Sequence, residues 1–242
     1  MGKKFVAFII LIFLVACTEE PVIVKSDSSP EDPDQEPEIV EQENDDKEEV
    51  EAFIEFTLPE EEIMINLKMV PILDSYLQAA ENRWQAIAEM TLEPIITADK
   101  DLYLLEFSCQ EKLCSYLLLD RTEEKNKAYL IADLAELFQK TISPDDTKVL
   151  FHFNREQSSH LPYSDFTVID LEKWELIPLD IHEEEQVMLD YTWPILNVEW
   201  IGNNNLSVTI PDIAEPTPEN IKQWQDTEKP TTMVEFTLNT NK

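Results

Sequence analysis

Glycine occupies only two of the 242 positions, Gly2 and Gly202, and this scarcity limits what the chain can fold into more than any other property. A phosphate-cradling P-loop, a dinucleotide-binding G-x-G-x-x-G turn and a G-x-S-x-G nucleophile elbow each need several glycines, for positive φ or for close backbone approach. None of them can be written here. The 51 Asp and Glu against 18 Lys and Arg give a formal net charge of -33. Nucleic acid is thereby excluded as a partner, because neutralising phosphates needs clustered cations. Hydrophobic residues make up 43% of the chain, enough for one folded domain over part of the length.

The N-terminus is an export signal in outline. Lys3 and Lys4 precede an almost unbroken apolar run from Phe5 to Ala16, which is too short to cross about 30 Å of hydrocarbon as a permanent helix. The run ends in Leu14-Val15-Ala16-Cys17, which resembles the lipobox of bacterial lipoproteins. That resemblance implies removal of residues 1–16 as a signal peptide and a diacylglyceryl group on Cys17. It also implies a cell-membrane location on the extracytoplasmic face, in a Gram-positive-type bacterium, with the membrane as partner through the lipid anchor. Myristoylation at Gly2 fits less well, since position 6 of that motif is Val6 rather than Ser or Thr.

Three cysteines are odd in number, and lipidation of Cys17 accounts for the odd one. Cys109 and Cys114 lie in two apolar runs around a short polar turn, which predicts a hairpin. Facing residues near its closing pair come within disulfide range, and an extracytoplasmic compartment permits oxidation. The expectation is a Cys109–Cys114 disulfide. A metal site is the alternative use of the pair, but there is no second Cys pair, and His152, His160 and His182 show no ligand spacing to it. No metal or other cofactor is expected.

From Thr18 to Val50 there are fourteen Asp or Glu against Lys25 and Lys47, together with four prolines and no aromatic residue. Such a segment buries too little apolar surface to offset its ordering entropy, so residues 17–50 are expected to form a lipid-anchored, disordered acidic tether. Phe53, Ile54, Phe56 and Leu58 then mark a folded domain over 51–242. Ile72, Leu73, Tyr76, Leu77, Ala80, Trp84 and Ile87 recur at steps of three and four, predicting one amphipathic helix from about Leu73 to Met90 with Trp84 on its core face. Ser75-x-x-Gln78 offers it a capping box. Leu130, Ile131, Leu134, Leu137 and Phe138 suggest a second helical turn. Thr217-Pro218-Glu219 predicts a third short helix, with Thr as cap and Pro at the first position.

The remaining apolar runs predict strands at 102–107, 115–120, 148–153, 165–170, 174–179, 195–200, 206–210 and 233–238. Turn residues join several of them, Ser143-Pro144-Asp145-Asp146 and Gly202-Asn203-Asn204-Asn205 among them. Ser143 to Phe151, with Phe166 to Leu179 and Trp200 to Val208, resembles the blade hairpins of TolB-like propellers, except that Asp146 stands where that family prefers Gly. The strand-rich part is too short for a closed propeller. The expected fold is α+β, mostly antiparallel β, with partial propeller-blade-like sheets packed on one amphipathic helix.

Carboxylates are abundant, as in Glu60-Glu61-Glu62, Asp145-Asp146 and Glu183-Glu184-Glu185. Catalysis needs one acid distinguished from its neighbours by environment, and nothing in the sequence does that. No catalytic residue is assigned. Trp174, Trp193, Trp200, Trp224, Tyr163 and Tyr191 are aromatics that either fill the core or stack on a ligand. Tyr191-Thr192-Trp193-Pro194 is the most loop-like set, so Tyr191 and Trp193 are the candidate binding surface. The leading expectation is a membrane-anchored surface lipoprotein with a non-catalytic binding or interaction domain, whose partner is an envelope protein or glycan. The alternative is a cell-envelope hydrolase using a carboxylate pair.

Overall fold

The computed structural model describes residues 22–25, 36–43, 50–97, 101–121, 127–155, 161, 163–180 and 193–240. Its architecture follows from two strands that are apolar on both faces. Strand β7 (Leu113–Asp120) and strand β9 (Lys148–Asn154) are buried along almost their whole length. Side chains alternate across a strand, so a continuous apolar run must be covered on both sides. In β7, Leu117 and Leu119 enter one core while Tyr116 and Leu118 enter the next. In β9, Val149, Phe151 and Phe153 share that second core, while Leu150 enters a third.

The sheets are antiparallel throughout. The first has four strands in the order β1-β4-β3-β2: β1 (Ile23–Lys25), β2 (Glu38–Glu43), β3 (Val50–Thr57) and β4 (Glu62–Asn66). The second is a seven-stranded meander in sequence order: β5 (Thr91–Ile96), β6 (Asp101–Gln110), β7, β8 (Lys127–Ile142), β9, β10 (Ser164–Asp170) and β11 (Glu175–Leu176). The third has four strands in the order β12-β15-β14-β13: β12 (Leu179–Asp180), β13 (Asn197–Trp200), β14 (Asn205–Pro211) and β15 (Thr231–Leu238).

Strand β8 makes the meander turn a corner. Its first part pairs with β7 as far as Ala135 and its second part pairs with β9 from Glu136. Next to the changeover Leu134 adopts φ 49°, a left-handed conformation that a side chain resists and that accompanies bulged strands. The seven strands therefore form two layers that share β8 and enclose the second core, with Leu102, Leu104 and Leu118 on one side and Val149, Phe151 and Ile169 on the other. The first sheet and the helices cover the outer side of the β6–β7 layer, and the third sheet covers the outer side of the β9–β10 layer. The far face of the third sheet carries Glu199, Met233, Glu235 and Thr237, all exposed, so the stack ends there in a solvent face.

Mostly antiparallel β with few helices is what the sequence predicts, but three local expectations are corrected. The single helix of 73–90 is two helices, α1 (Pro71–Ala79) and α2 (Arg83–Ala88). Ala80 is extended and the Asn82 side chain caps α2, accepting from the Gln85 N–H at 3.2 Å, so the chain restarts on a new axis. Trp84 falls in the first turn of α2 and is 65% exposed, not core. Ser75 lies inside α1, which begins at Pro71 without a side-chain cap. The apolar residues from Leu130 to Phe138 lie in β8, where register shifts at three places break the alternation and imitate a helical period.

The third correction concerns the N-terminal boundary. Val22 and Ile23 are buried in the first core, β1 pairs with β4, and Glu38–Glu43 pairs with β3. Order therefore begins well before residue 51, inside the stretch expected to be a disordered tether. Val22-Ile23-Val24 is a run of three β-branched residues suited to an edge strand, hidden in the sequence by the acids around it. Helix α3 (Pro218–Gln225) forms as expected, with Thr217 Oγ1 accepting from Asn220 N–H at 3.2 Å and Pro218 in the first turn.

Candidate functional site

Several of the described acids do structural work. Glu61 accepts from the Tyr103 hydroxyl at 2.7 Å and lies 3.7 Å from the Arg121 guanidinium and 3.5 Å from Lys25 Nζ. It therefore ties β1, the turn before β4 and the β6–β7 layer together. Arg155 grips Asp165 through two bonds of 2.8 and 2.9 Å, a fork-to-carboxylate pair. Asp145 sits in the turn after β8. Burial raises its pKa, but hydrogen bonds from Ser143 and Thr147 and the nearby Lys148 charge outweigh that and bring it down to about 2. Its neighbour Asp146 takes φ 56°, the left-handed position that glycine would fill most easily. The Glu55 carboxyl is pushed up by burial and by the charges of Glu62 and Glu38, but it lines neither cleft described below. Glu183, Glu184, Glu185, His160 and His182 lie outside the described residues.

The aromatic candidates divide differently from the expectation. Tyr191 lies outside the described residues. Trp193 is partly buried and packs against the third core, with its indole nitrogen enclosed. Trp200 does the same from β13. Below them His152 on β9 is completely buried, its edge against Phe138 at 5.0 Å between ring centroids, and neither ring nitrogen has a hydrogen-bond partner. Burial drives its pKa down to about 4, so it is a neutral ring at neutral pH. The tryptophans here hold sheets together and present little free face.

An open concavity instead lies beside α3. A cleft of about 290 Å³ is lined by Asp212, Ile213, Asn220, Gln223, Trp224 and Pro230. The Trp224 indole N–H donates to the Pro230 carbonyl at 2.6 Å, and Thr227 Oγ1 donates to the Trp224 carbonyl at 2.7 Å, which fixes the floor. Asp212 and Gln223 are exposed at the rim. The volume is at the lower end of the range for small-molecule sites, about 300–1,000 Å³. A second cleft of about 220 Å³, between β5 and the end of β8, is apolar, with Ile95, Ile142 and Val149 in its wall. Sequence reasoning named Trp224 among the aromatics but missed Asp212 and Gln223. They meet only because β14 continues into the segment that α3 packs on.

Cys109 and Cys114 form the expected disulfide at the end of the β6–β7 hairpin, with Cα atoms 4.0 Å apart. The last ladder pair is Gln110 with Leu113, and a bulge between Phe107 and Gln110 takes Cys109 out of the regular pairing. Glu106 Oε1 lies 3.7 Å from Cys109 Sγ. Glu106 also faces Tyr116 across the ladder, and the Leu137 N–H donates to the Tyr116 phenol oxygen at 3.2 Å. Burial, first of all, pushes the Tyr116 hydroxyl above the ordinary tyrosine range.

No protein-family model, no curated protein and no solved structure matches this chain.

Proposed function

We propose that the protein is a lipoprotein anchored through Cys17 to the extracytoplasmic face of the cell membrane, carrying a non-catalytic binding domain. The observation that carries this reading is the N-terminal sequence, in which basic start, apolar run, small residue and cysteine fall in order up to Cys17. The Cys109–Cys114 disulfide supports it, because disulfides persist in oxidising compartments. Four-stranded layers packed face to face also support reading the fold as an open stack of propeller-like blades.

The early start of order changes the picture of the tether. Val22 is buried, and the chain between Cys17 and Val22 spans at most about 17 Å when fully extended. The domain is thus held against the membrane surface, not far out on a long acidic arm. Replacing Cys17 by Ser is expected to move the protein from the membrane fraction to the soluble one. Continued membrane retention, with an unchanged N-terminal mass, contradicts the anchor.

Within that domain the α3 cleft is the binding site we assign. An apolar floor of Trp224 and Pro230 with a carboxylate and a carboxamide at its rim suits a ligand of one sugar residue with several hydroxyls, as in an envelope glycan. The double change Asp212→Ala and Gln223→Ala is expected to weaken retention on purified cell-wall glycan by about tenfold or more, the loss of one to two good polar contacts. Both residues are exposed, so thermal stability should stay within about 0.5 kcal/mol of the parent. Undiminished retention removes the cleft from this role.

A further inference from the structure

At the tip of the β6–β7 hairpin donor atoms of two chemical kinds converge. One Glu106 oxygen and the sulfurs of Cys109 and Cys114 all lie within 4.8 Å of one another. The Glu106 to Cys109 separation is 3.7 Å. A tetrahedral zinc ion with bonds of about 2.3 Å to sulfur and 2.0 Å to oxygen places those two ligands about 3.5 Å apart. Glu106 has Tyr116 as its cross-strand partner, with the phenol fixed by the Leu137 N–H, a neighbour placed to orient a metal-binding carboxylate from the outer shell. With the disulfide closed, both sulfurs are bonded to each other and cannot act as thiolates.

We propose that reduction of the Cys109–Cys114 disulfide turns this hairpin end into a site for a thiophilic divalent cation such as zinc, bound by Cys109, Cys114 and Glu106 with the fourth position left to water. The reductant is a dithiol. Its thiolate attacks Cys109, which is half-buried, whereas Cys114 is 4% exposed. The bond between the two protein sulfurs breaks and a mixed disulfide forms. The second reductant sulfur then resolves it, so the reductant ends as a disulfide and both cysteines as thiols, with two electrons and two protons transferred.

The cation then displaces the two thiol protons to solvent. The negative charge of Glu106 disfavours two bare thiolates beside it, and a divalent cation removes that penalty. Cys109 lies in the bulge, so its sulfur can move away from Cys114 without breaking the flanking ladder pairs of β6 and β7. A search for Cys and His ligands alone overlooks the site, because its third ligand is a carboxylate three residues before the first cysteine.

The test uses the full chain carrying Cys17→Ser, so that Cys109 and Cys114 are the only thiols. After reduction and anaerobic removal of the reductant, cadmium is titrated as a spectroscopic probe for zinc. The expected result is one bound equivalent with a thiolate-to-metal charge-transfer band, absent from the oxidised protein. Glu106→Gln is expected to weaken binding by more than about tenfold, and Tyr116→Phe by about tenfold. Circular dichroism follows the fold on reduction, and the titration is repeated in denaturant. The proposal is overturned by absence of the band, by equal binding to oxidised protein, by unchanged affinity in Glu106→Gln, or by equal affinity in the unfolded chain.

Discussion

Phe153→Ala is expected to lower the free energy of unfolding by about 3–5 kcal/mol, the usual cost of emptying a fully enclosed aromatic site. Phe153 is completely buried in the second core. Its ring lies 5.3 Å from the Tyr116 ring across the two layers and 6.1 Å from Phe151 along its own strand, and the Arg155 guanidinium sits 5.8 Å from its centroid. The surrounding side chains are anchored to two different layers, so they cannot collapse into the space by a small local shift. Urea denaturation of parent and variant measures the loss as a change in midpoint at constant slope. Thr237→Ala, on the exposed face of the third sheet, is the control and should change stability by less than about 0.5 kcal/mol. A Phe153→Ala loss below about 1 kcal/mol would mean that the layers on either side of β8 are not packed as described.

The same strand shows how much of this fold could be read from the chain. Val149, Leu150, Phe151 and Phe153 put apolar side chains on both faces of one strand, β6, β7 and β10 were legible in the same way, and β14 and β15 were legible from apolar residues that alternate with polar ones on a solvent face. The disulfide was legible too, because the polar turn between two apolar runs leaves few geometries for Cys109 and Cys114. The β8 corner was not. Its left-handed Leu134 and its register shifts depend on which neighbour each half pairs with, a tertiary matter that propensity does not encode. Trp84 was misplaced because periodicity continues through Ala80 and Glu81 although the helix does not. The α3 cleft and the Glu106 position were hidden for a related reason. Asp212 and Gln223 are ordinary acidic and polar residues in a chain full of them, and only the fold marks which ones converge.

His152 yields the second large effect, and it appears on acidification. Its ring is completely buried between layers, with Phe138 at its edge and Phe166 and Gln139 opposite it in register. The Gln139 carboxamide is already given to the Val198 carbonyl at 3.3 Å, and among the described residues nothing bonds to either ring nitrogen. Burial alone therefore sets the folded pKa, at about 4, below the 6.5 of a free side chain. The unfolded chain binds the proton more readily, so stability must rise with pH wherever the two states differ in protonation. The His152 contribution is fully present above about pH 6.5 and is lost as pH falls towards 4, reaching about 3 kcal/mol at pH 4. Carboxylates titrate in part of the same range, and the comparison that isolates the ring is with His152→Leu, which has similar volume and no proton to gain. At pH 7 that variant should be as stable as the parent or more so, since a buried polar ring without partners costs about 1–3 kcal/mol. Between pH 6.5 and 4 the parent should lose about 3 kcal/mol more than the variant in chemical denaturation. Equal losses in the two proteins would place the acid response on the carboxylates and show that the His152 ring reaches water or a partner in solution.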